Sequence, residues 1–296
     1  VTCATCAQAP QVKRVMNKLA AKAHTPVVAM IMLVIFGMVT SFINWAFCTV
    51  VGALFAMYLA KNVKGMHFPL MLAVIYTCMV FGQCLGPTAS VYALLATEGH
   101  FMEEQLGILT QDMTVYNPHN IIIWCTFALI LLIIAITTKP PKHEVVELKT
   151  QLDEEDVNYD VETRETPADK MNGSRIGVAG IAVIIREFAT KGFMGALSMN
   201  LIIFLFIVAN CFLYKTPRAF IESYKSNMSM ACEVIVQFPF YGGIMGIMQT
   251  SGLAEVIITG IVGIATAKTL PVFSYLSAAA VNLFIPSQGG QWIVQG

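Results

Sequence analysis

The residues best placed to do chemistry are polar or backbone-breaking ones set inside apolar runs. Ser41, Asn44 and Trp45 interrupt the first run, and Gly82, Gly86, Pro87 and Thr88 the second. Gln237 and Pro239 interrupt a later run, and Asn282, Pro286, Ser287, Gly289, Gly290 and Trp292 the last. Hydroxyl and amide side chains can hydrogen-bond a small polar ligand, while Gly and Pro free backbone groups that hydrocarbon cannot satisfy. Such a break persists only where it is buried in protein or lines a wet cavity. No Lys or Arg lies deep in any run, so an anion would rely on helix N-termini and these side chains. Unwound carbonyls near Gly82–Gly86 and Pro286–Gly290 would suit a coupling cation, Na+ or H+. Trp45, Phe284 and Trp292 would face the apolar part of a ligand or fill core, and core is the simpler role for each.

Other chemistries lack their residues. The histidines (His24, His67, His100, His119, His143) fall in loops or at the ends of apolar runs, and no H-E-x-x-H or paired intramembrane Asp occurs. An intramembrane enzyme is therefore disfavoured, and no metal or organic cofactor is expected. Cys3-x-x-Cys6 has redox or metal spacing without a second pair nearby, so these read as small apolar thiols. Glu233 lies just inside an apolar block, where an acid snorkels to the interface more readily than it binds a cation.

The elements that must position the polar residues are membrane helices. The chain has 296 residues, 56% hydrophobic and 12% charged, with a mean hydropathy of +0.68. A soluble domain carries about 25% charge, and the apolar blocks here are long enough to cross a ~30 Å hydrocarbon core. With 18 basic and 18 acidic residues and no basic face, nucleic acid is not an expected partner. The chain starts at Val1 without Met and stops at Gly296 within an apolar, Gly-rich stretch, so it reads as an internal part of a longer protein.

Residues 9–24 pattern as an amphipathic surface helix closed by Pro26. The charge-free run 27–60 is too long for one span and short for two, and basic residues flank both ends, so it reads as a re-entrant hairpin with its tip near Ser41–Trp45. The block 68–96 is a span broken at 82–88, followed by an acidic external stretch, 97–118. A span over 119–138 returns to the cytoplasm. Residues 139–173 hold ten acidic and five basic residues and read as a flexible cytoplasmic linker. Spans over 175–192 and 194–213 follow, with Arg186, Glu187 and Lys191 as interfacial anchors, and then a basic loop over 214–227. The block 228–249 crosses outward with a kink at 237–243. A milder amphipathic helix, 252–268, and an apolar run from Pro271 end the chain.

The two ends repeat one pattern: amphipathic helix, Pro, apolar run, Asn, then small or polar residues. The crossings between them place the second copy on the opposite face. Inverted repeats with broken helices in matching positions point to a secondary transporter with a site near the midplane. The expected domains are a first repeat over 1–138, the linker 139–173 and a second repeat over 174–296. The fold class is an all-α polytopic membrane protein with inverted-topology repeats, re-entrant helical hairpins and broken transmembrane helices.

At these residues the sequence resembles the bacterial short-chain fatty acid transporters, the acetoacetate and butyrate carriers of the ion-transporter superfamily. The likeness runs from about Ala9 to Gly296 and is strongest at three places. These are Phe42 to Trp45 with Val51-Gly52-Ala53, then Val236 to Ile244, and then Asn282 to Gly296. The resemblance implies cation-coupled carriage of a short-chain carboxylate across the bacterial cytoplasmic membrane, and leaves open a homodimer. Carriage of another small carboxylate, or an anion channel, is the alternative. Two departures stand out. Where the family tends to read Gly-Gly-His-Trp this chain has Gly289-Gly290-Gln291-Trp292, and its break after Phe81 is poorer in Gly.

Overall fold

The computed structural model describes residues 1–100, 103–148, 167–196, 198–284 and 288–295. Those residues form helices and connecting turns, with no strand among them. They pack as two units, one of Val1–Ala96 with Leu109–Asn227, the other of Thr97–Ile108 with Met228–Gly296. The expected repeat boundaries follow sequence symmetry rather than this packing.

The first unit opens with α1 (Thr2–Gln8) and the amphipathic α2 (Pro10–Ala20), which buries Met16 and Ala20 and exposes Arg14 and Lys18. Cys3 and Cys6 are buried, packed with Ile202 and Phe206. Pro26 does more than close the surface helix. It opens α3 (Pro26–Ile43), where its missing N–H costs nothing, and Thr25 caps that helix by accepting from Val28 N–H. Helices α3 and α4 (Trp45–Asn62) form an antiparallel hairpin. The Cys48 thiol donates to the Gly37 carbonyl at 3.3 Å, and the Phe36 and Phe55 rings lie 4.2 Å apart.

The tip falls where expected but is a single non-helical residue, Asn44. Each leg has 18 residues, about 27 Å of helix, and is apolar enough to cross a membrane. A re-entrant loop is the expectation for a longer turn; with a one-residue turn, length admits two full crossings as well. In both cases the chain leaves on the side where it entered.

Helix α5 (Phe68–Leu85) packs into this hairpin. Gly37 leaves room for Cys78, and Gly52 for Ile75: an added Cβ would lie 2.9 Å and 2.8 Å from those side chains. The expected break follows, with Gly86 extended, before α6 (Ser90–Leu95). A short α7 (Glu103–Leu106) belongs to the second unit. Helix α8 (Pro118–Thr137) returns beside α3 and α5, with Ile122, Leu129 and Ile133 exposed as lipid-facing residues are.

Helix α9 (Pro167–Ala196) starts inside the stretch read as linker, kinks at Gly192 and leads through a tight turn into α10 (Met199–Tyr214). Near that turn Lys191 and Glu187 pair at 2.8 Å, one helical turn apart. Residues 214–227 are not the loop expected. They hold α11 (Pro217–Ser226), bent 117° from α10 and capped by Thr216.

The second unit contains α12 (Ser229–Thr250), α13 (Leu253–Val262), α14 (Leu270–Asn282) and α15 (Gln288–Gln295). Helix α12 runs on through Pro239, whose ring removes one hydrogen bond without ending the helix. The second amphipathic helix stops at Val262, short of its expected end, and Pro271 lies in the first turn of α14.

Candidate functional site

Asn44 is where the first hairpin turns. Its backbone is extended (φ −161°, ψ 123°), and its N–H donates to the Thr40 carbonyl at 3.0 Å. Its Oδ1 accepts the Phe47 N–H at 2.9 Å, so the side chain serves as the cap of α4. With the Phe47 N–H taken by this cap, the tip presents the positive dipole end of α4. Asn44 and Ser41 are both buried. The Ser41 hydroxyl is already used, donating to the Met38 carbonyl at 3.0 Å. Trp45 is half-buried and packs on the hairpin core.

The structure joins this tip to the α5 break. Gly82 lies so close to the Ser41 backbone that a Cβ would collide with the carbonyl, and a Cβ on Gly86 would sit 3.1 Å from the Phe42 carbonyl oxygen. The two breaks in sequence thus form one crossing in space. Only glycine allows the backbones to approach this far.

Side chains that sequence reasoning missed hold the broken end of α5. Asn120 Nδ2 donates to the Leu85 carbonyl at 3.2 Å and to that of Val115 at 2.9 Å. Gln111 Nε2 donates to the Pro87 carbonyl at 3.3 Å. Two carbonyls at the edge of the stretch expected to face a cation are therefore already engaged by amides. Three buried polar atoms around the break lack a partner among the described residues: Thr88 Oγ1, Gln111 Oε1 and Trp124 Nε1. Phe42 packs edge-on to Trp124 and to Tyr116, with centroids 5.4 Å and 6.3 Å away. An unpaired buried polar group costs about 1–3 kcal/mol. A hydroxyl, an amide oxygen and an indole N–H left open at one break are suited to a small polar ligand or water. Asn120 stands at the polar start of its run, just after Asn117, Pro118 and His119, so it did not stand out as Asn44 does. Gln111 was hidden in an acidic stretch.

In the second unit Asn282 ends α14, and its Nδ2 donates to Gln291 Oε1 at 2.9 Å. Gln291 Nε2 donates in turn to the Ala278 carbonyl at 2.6 Å. Gly289, Gly290 and Trp292 lie within α15, so Gly289–Gly290 is helical where unwound backbone was expected. Pro286 and Ser287 lie outside the described residues. Trp292 Nε1 and Ser277 Oγ are buried without a partner among those described. Gln237 stands apart, exposed on α12 and accepting from the Tyr241 hydroxyl at 3.3 Å. Among the described residues no group of three or more His, Cys, Asp or Glu forms a metal-binding cluster.

A family model described as "Short chain fatty acid transporter" matches residues 1–296. The chain belongs to the short-chain fatty acid transporter family. It is 32% identical over 298 residues to an Escherichia coli K12 protein named "Putative short-chain fatty acid transporter". A Haemophilus influenzae protein of the same name is 29% identical over 305 residues. Each alignment covers 98% of this chain and 67% of the relative. No solved structure matches. The transporter is a multi-pass protein of the bacterial inner membrane, not an enzyme, and four of its described helices are long and apolar enough to cross.

Proposed function

We propose that this transporter is a cation-coupled secondary carrier of short-chain monocarboxylates such as butyrate or acetoacetate. The proposed site is the α3–α4 tip where it meets the α5 break. The observation that carries this reading is the set of buried groups without a partner among the described residues, Thr88 Oγ1, Gln111 Oε1 and Trp124 Nε1, near a crossing closed by Gly82 and Gly86. A carboxylate there meets the positive end of α4 and takes hydrogen bonds from the Thr88 hydroxyl and the Trp124 N–H, with no fixed cation required. The short tail lies against Phe42 and Trp124. Gln111 Oε1 is the acceptor left for a coupling cation, since the Leu85 and Pro87 carbonyls have amide partners. A glycine-lined crossing lets one element slide past another, which is the kind of shear that alternating access needs. Asn282, Pro286, Ser287, Gly289, Gly290 and Trp292, with Gln237, are assigned to the matching element of the second, inverted repeat.

The test is uptake of labelled butyrate by the full-length protein in proteoliposomes. Uptake is expected to saturate and to show counterflow, and Asn44→Ala combined with Asn282→Ala is expected to lower kcat/KM at least about tenfold, or ~1.4 kcal/mol. Unchanged transport by the double variant removes the site assignment. Linear flux without counterflow makes the protein a channel. Insensitivity both to Na+ replacement and to collapse of the pH gradient removes cation coupling.

A further inference from the structure

The end of the first unit opposite the Asn44 tip holds a cavity of about 430 Å³, within the size range of small-molecule sites. It opens where α3 and α5 begin and α8 ends. Its walls are apolar, with Met30, Leu70 and Ile136 from the three helices, while His67, Thr138 and Lys139 stand among its lining residues. The segment after α8 is tied across this end by three hydrogen bonds. Phe68 N–H donates to the Val146 carbonyl at 2.9 Å, Val146 N–H to His67 Nδ1 at 3.1 Å, and Gly65 N–H to Glu147 Oε1 at 2.7 Å.

These bonds decide what the polar side of the cavity offers. Because His67 Nδ1 accepts, the ring is the neutral tautomer and keeps Nε2–H as a donor. Thr138 adds a hydroxyl and Lys139 an exposed ammonium. The nearest acids in sequence, Glu144 and Glu147, do not line the cavity, and Glu147 is committed to Gly65. Lys61 and Lys64 end the same face of the bundle, which marks it as cytoplasmic. An apolar chamber with donors and a cation at one side matches a molecule with one anionic head and one hydrocarbon tail.

We propose that this cavity binds a single-chain fatty acid longer than the transported substrate, entering from the cytoplasmic side. The tail lies between α3, α5 and α8, and the carboxylate meets Lys139, Thr138 and His67. A four-carbon acid leaves most of the chamber unfilled, so the site selects by chain length. It lies one α3 length, about 27 Å, from the Asn44 tip and does not depend on the transport reading.

The test is equilibrium binding of labelled decanoate to the full-length protein in lipid nanodiscs, with empty discs subtracted. Saturable binding is expected, about fourfold tighter for each CH2 added from hexanoate to decanoate. Lys139→Gln should weaken it about tenfold by removing a charge-assisted partner, and Leu70→Trp should abolish it by filling the chamber. Asn44→Ala should bind decanoate like the wild type even if it cannot transport butyrate, which separates this site from the proposed transport site. Binding no greater than in empty discs, or unaltered by both Lys139→Gln and Leu70→Trp, overturns the proposal. So does a phospholipid that copurifies with the wild type, is lost in Leu70→Trp and is not displaced by decanoate; the chamber then belongs to the bilayer. Lys139 is exposed, so its variant reports on binding even if Leu70→Trp fails to fold.

Discussion

The two asparagine tips solve the same problem in opposite ways. At the first, Asn44 is an acceptor: its side chain caps its own following helix at Phe47, and the turn is one residue long. What fixes that tip is backbone on backbone, through Gly82 and Gly86 against Ser41 and Phe42. At the second, Asn282 is a donor: its amide reaches across the break to Gln291, which also holds the Ala278 carbonyl. Surroundings differ as well, for Asn44 is 6% exposed while Leu283, just after Asn282, is 84% exposed. A repeated Asn in sequence therefore does not imply a repeated role. The first tip is held by the absence of side chains, the second by the presence of one.

That contrast breaks most sharply at Gly82. Gly82→Ala drives a methyl group into the Ser41 carbonyl, a backbone atom that cannot rotate away. Overpacking of a core costs about 1–3 kcal/mol, occasionally more, and this collision with backbone belongs at the upper end. Butyrate uptake is expected to fall to background, with a lowered thermal midpoint in detergent. Gly243→Ala in α12 meets nothing within 4 Å and improves helix propensity, so it should leave uptake unchanged and stability held or raised by up to about 1 kcal/mol. Equal tolerance of the two substitutions would show that the first tip is not held by close backbone approach.

A smaller effect separates ligand binding from packing at the same tip. Thr88→Val keeps the shape of a fully buried side chain and removes a hydroxyl that has no partner among the described residues. If that hydroxyl serves only structure, stability should drop and transport should follow it. A hydroxyl kept open for substrate requires the reverse: stability held or raised, by up to about 1 kcal/mol, with kcat/KM for butyrate lowered about tenfold. Thermal unfolding and uptake, measured on the same preparation, check both halves.

The position of the first tip was legible because Asn44 is the strongest polar residue in a charge-free run, and the α5 break because Gly82, Gly86 and Pro87 crowd together. The crossing of the two was not, since nothing local says that Gly82 faces Ser41. Asn120 and Gln111 act on carbonyls 35 and 24 residues away in the chain, which a window-based pattern cannot see. Helix α11 was missed because Lys215, Arg218 and Lys225 read as loop charge, whereas Arg218 and Lys225 lie on one short amphipathic helix beyond a 117° bend. Gly289 and Gly290 suggested unwound backbone, yet both lie in α15, whose first turns are tied to α14 through Gln291. Glycine permits a break without demanding one.

The second tip can be sharpened by restoring the residue that the family tends to carry. Gln291 offers one acceptor to Asn282 and one donor to Ala278. A neutral imidazole at this position offers the same pair, so Gln291→His should transport normally at pH 8. As pH falls through about 6.5 the ring gains a proton, both nitrogens become donors, and Asn282 Nδ2 loses its acceptor. Uptake by Gln291→His, divided by wild-type uptake at each pH, should therefore stay level above that value and decline below it. Taking the ratio removes any pH dependence that coupling to H+ imposes on both proteins. A level ratio from pH 5.5 to pH 8 would mean that the Asn282–Gln291 bond does not hold the second tip in the working transporter.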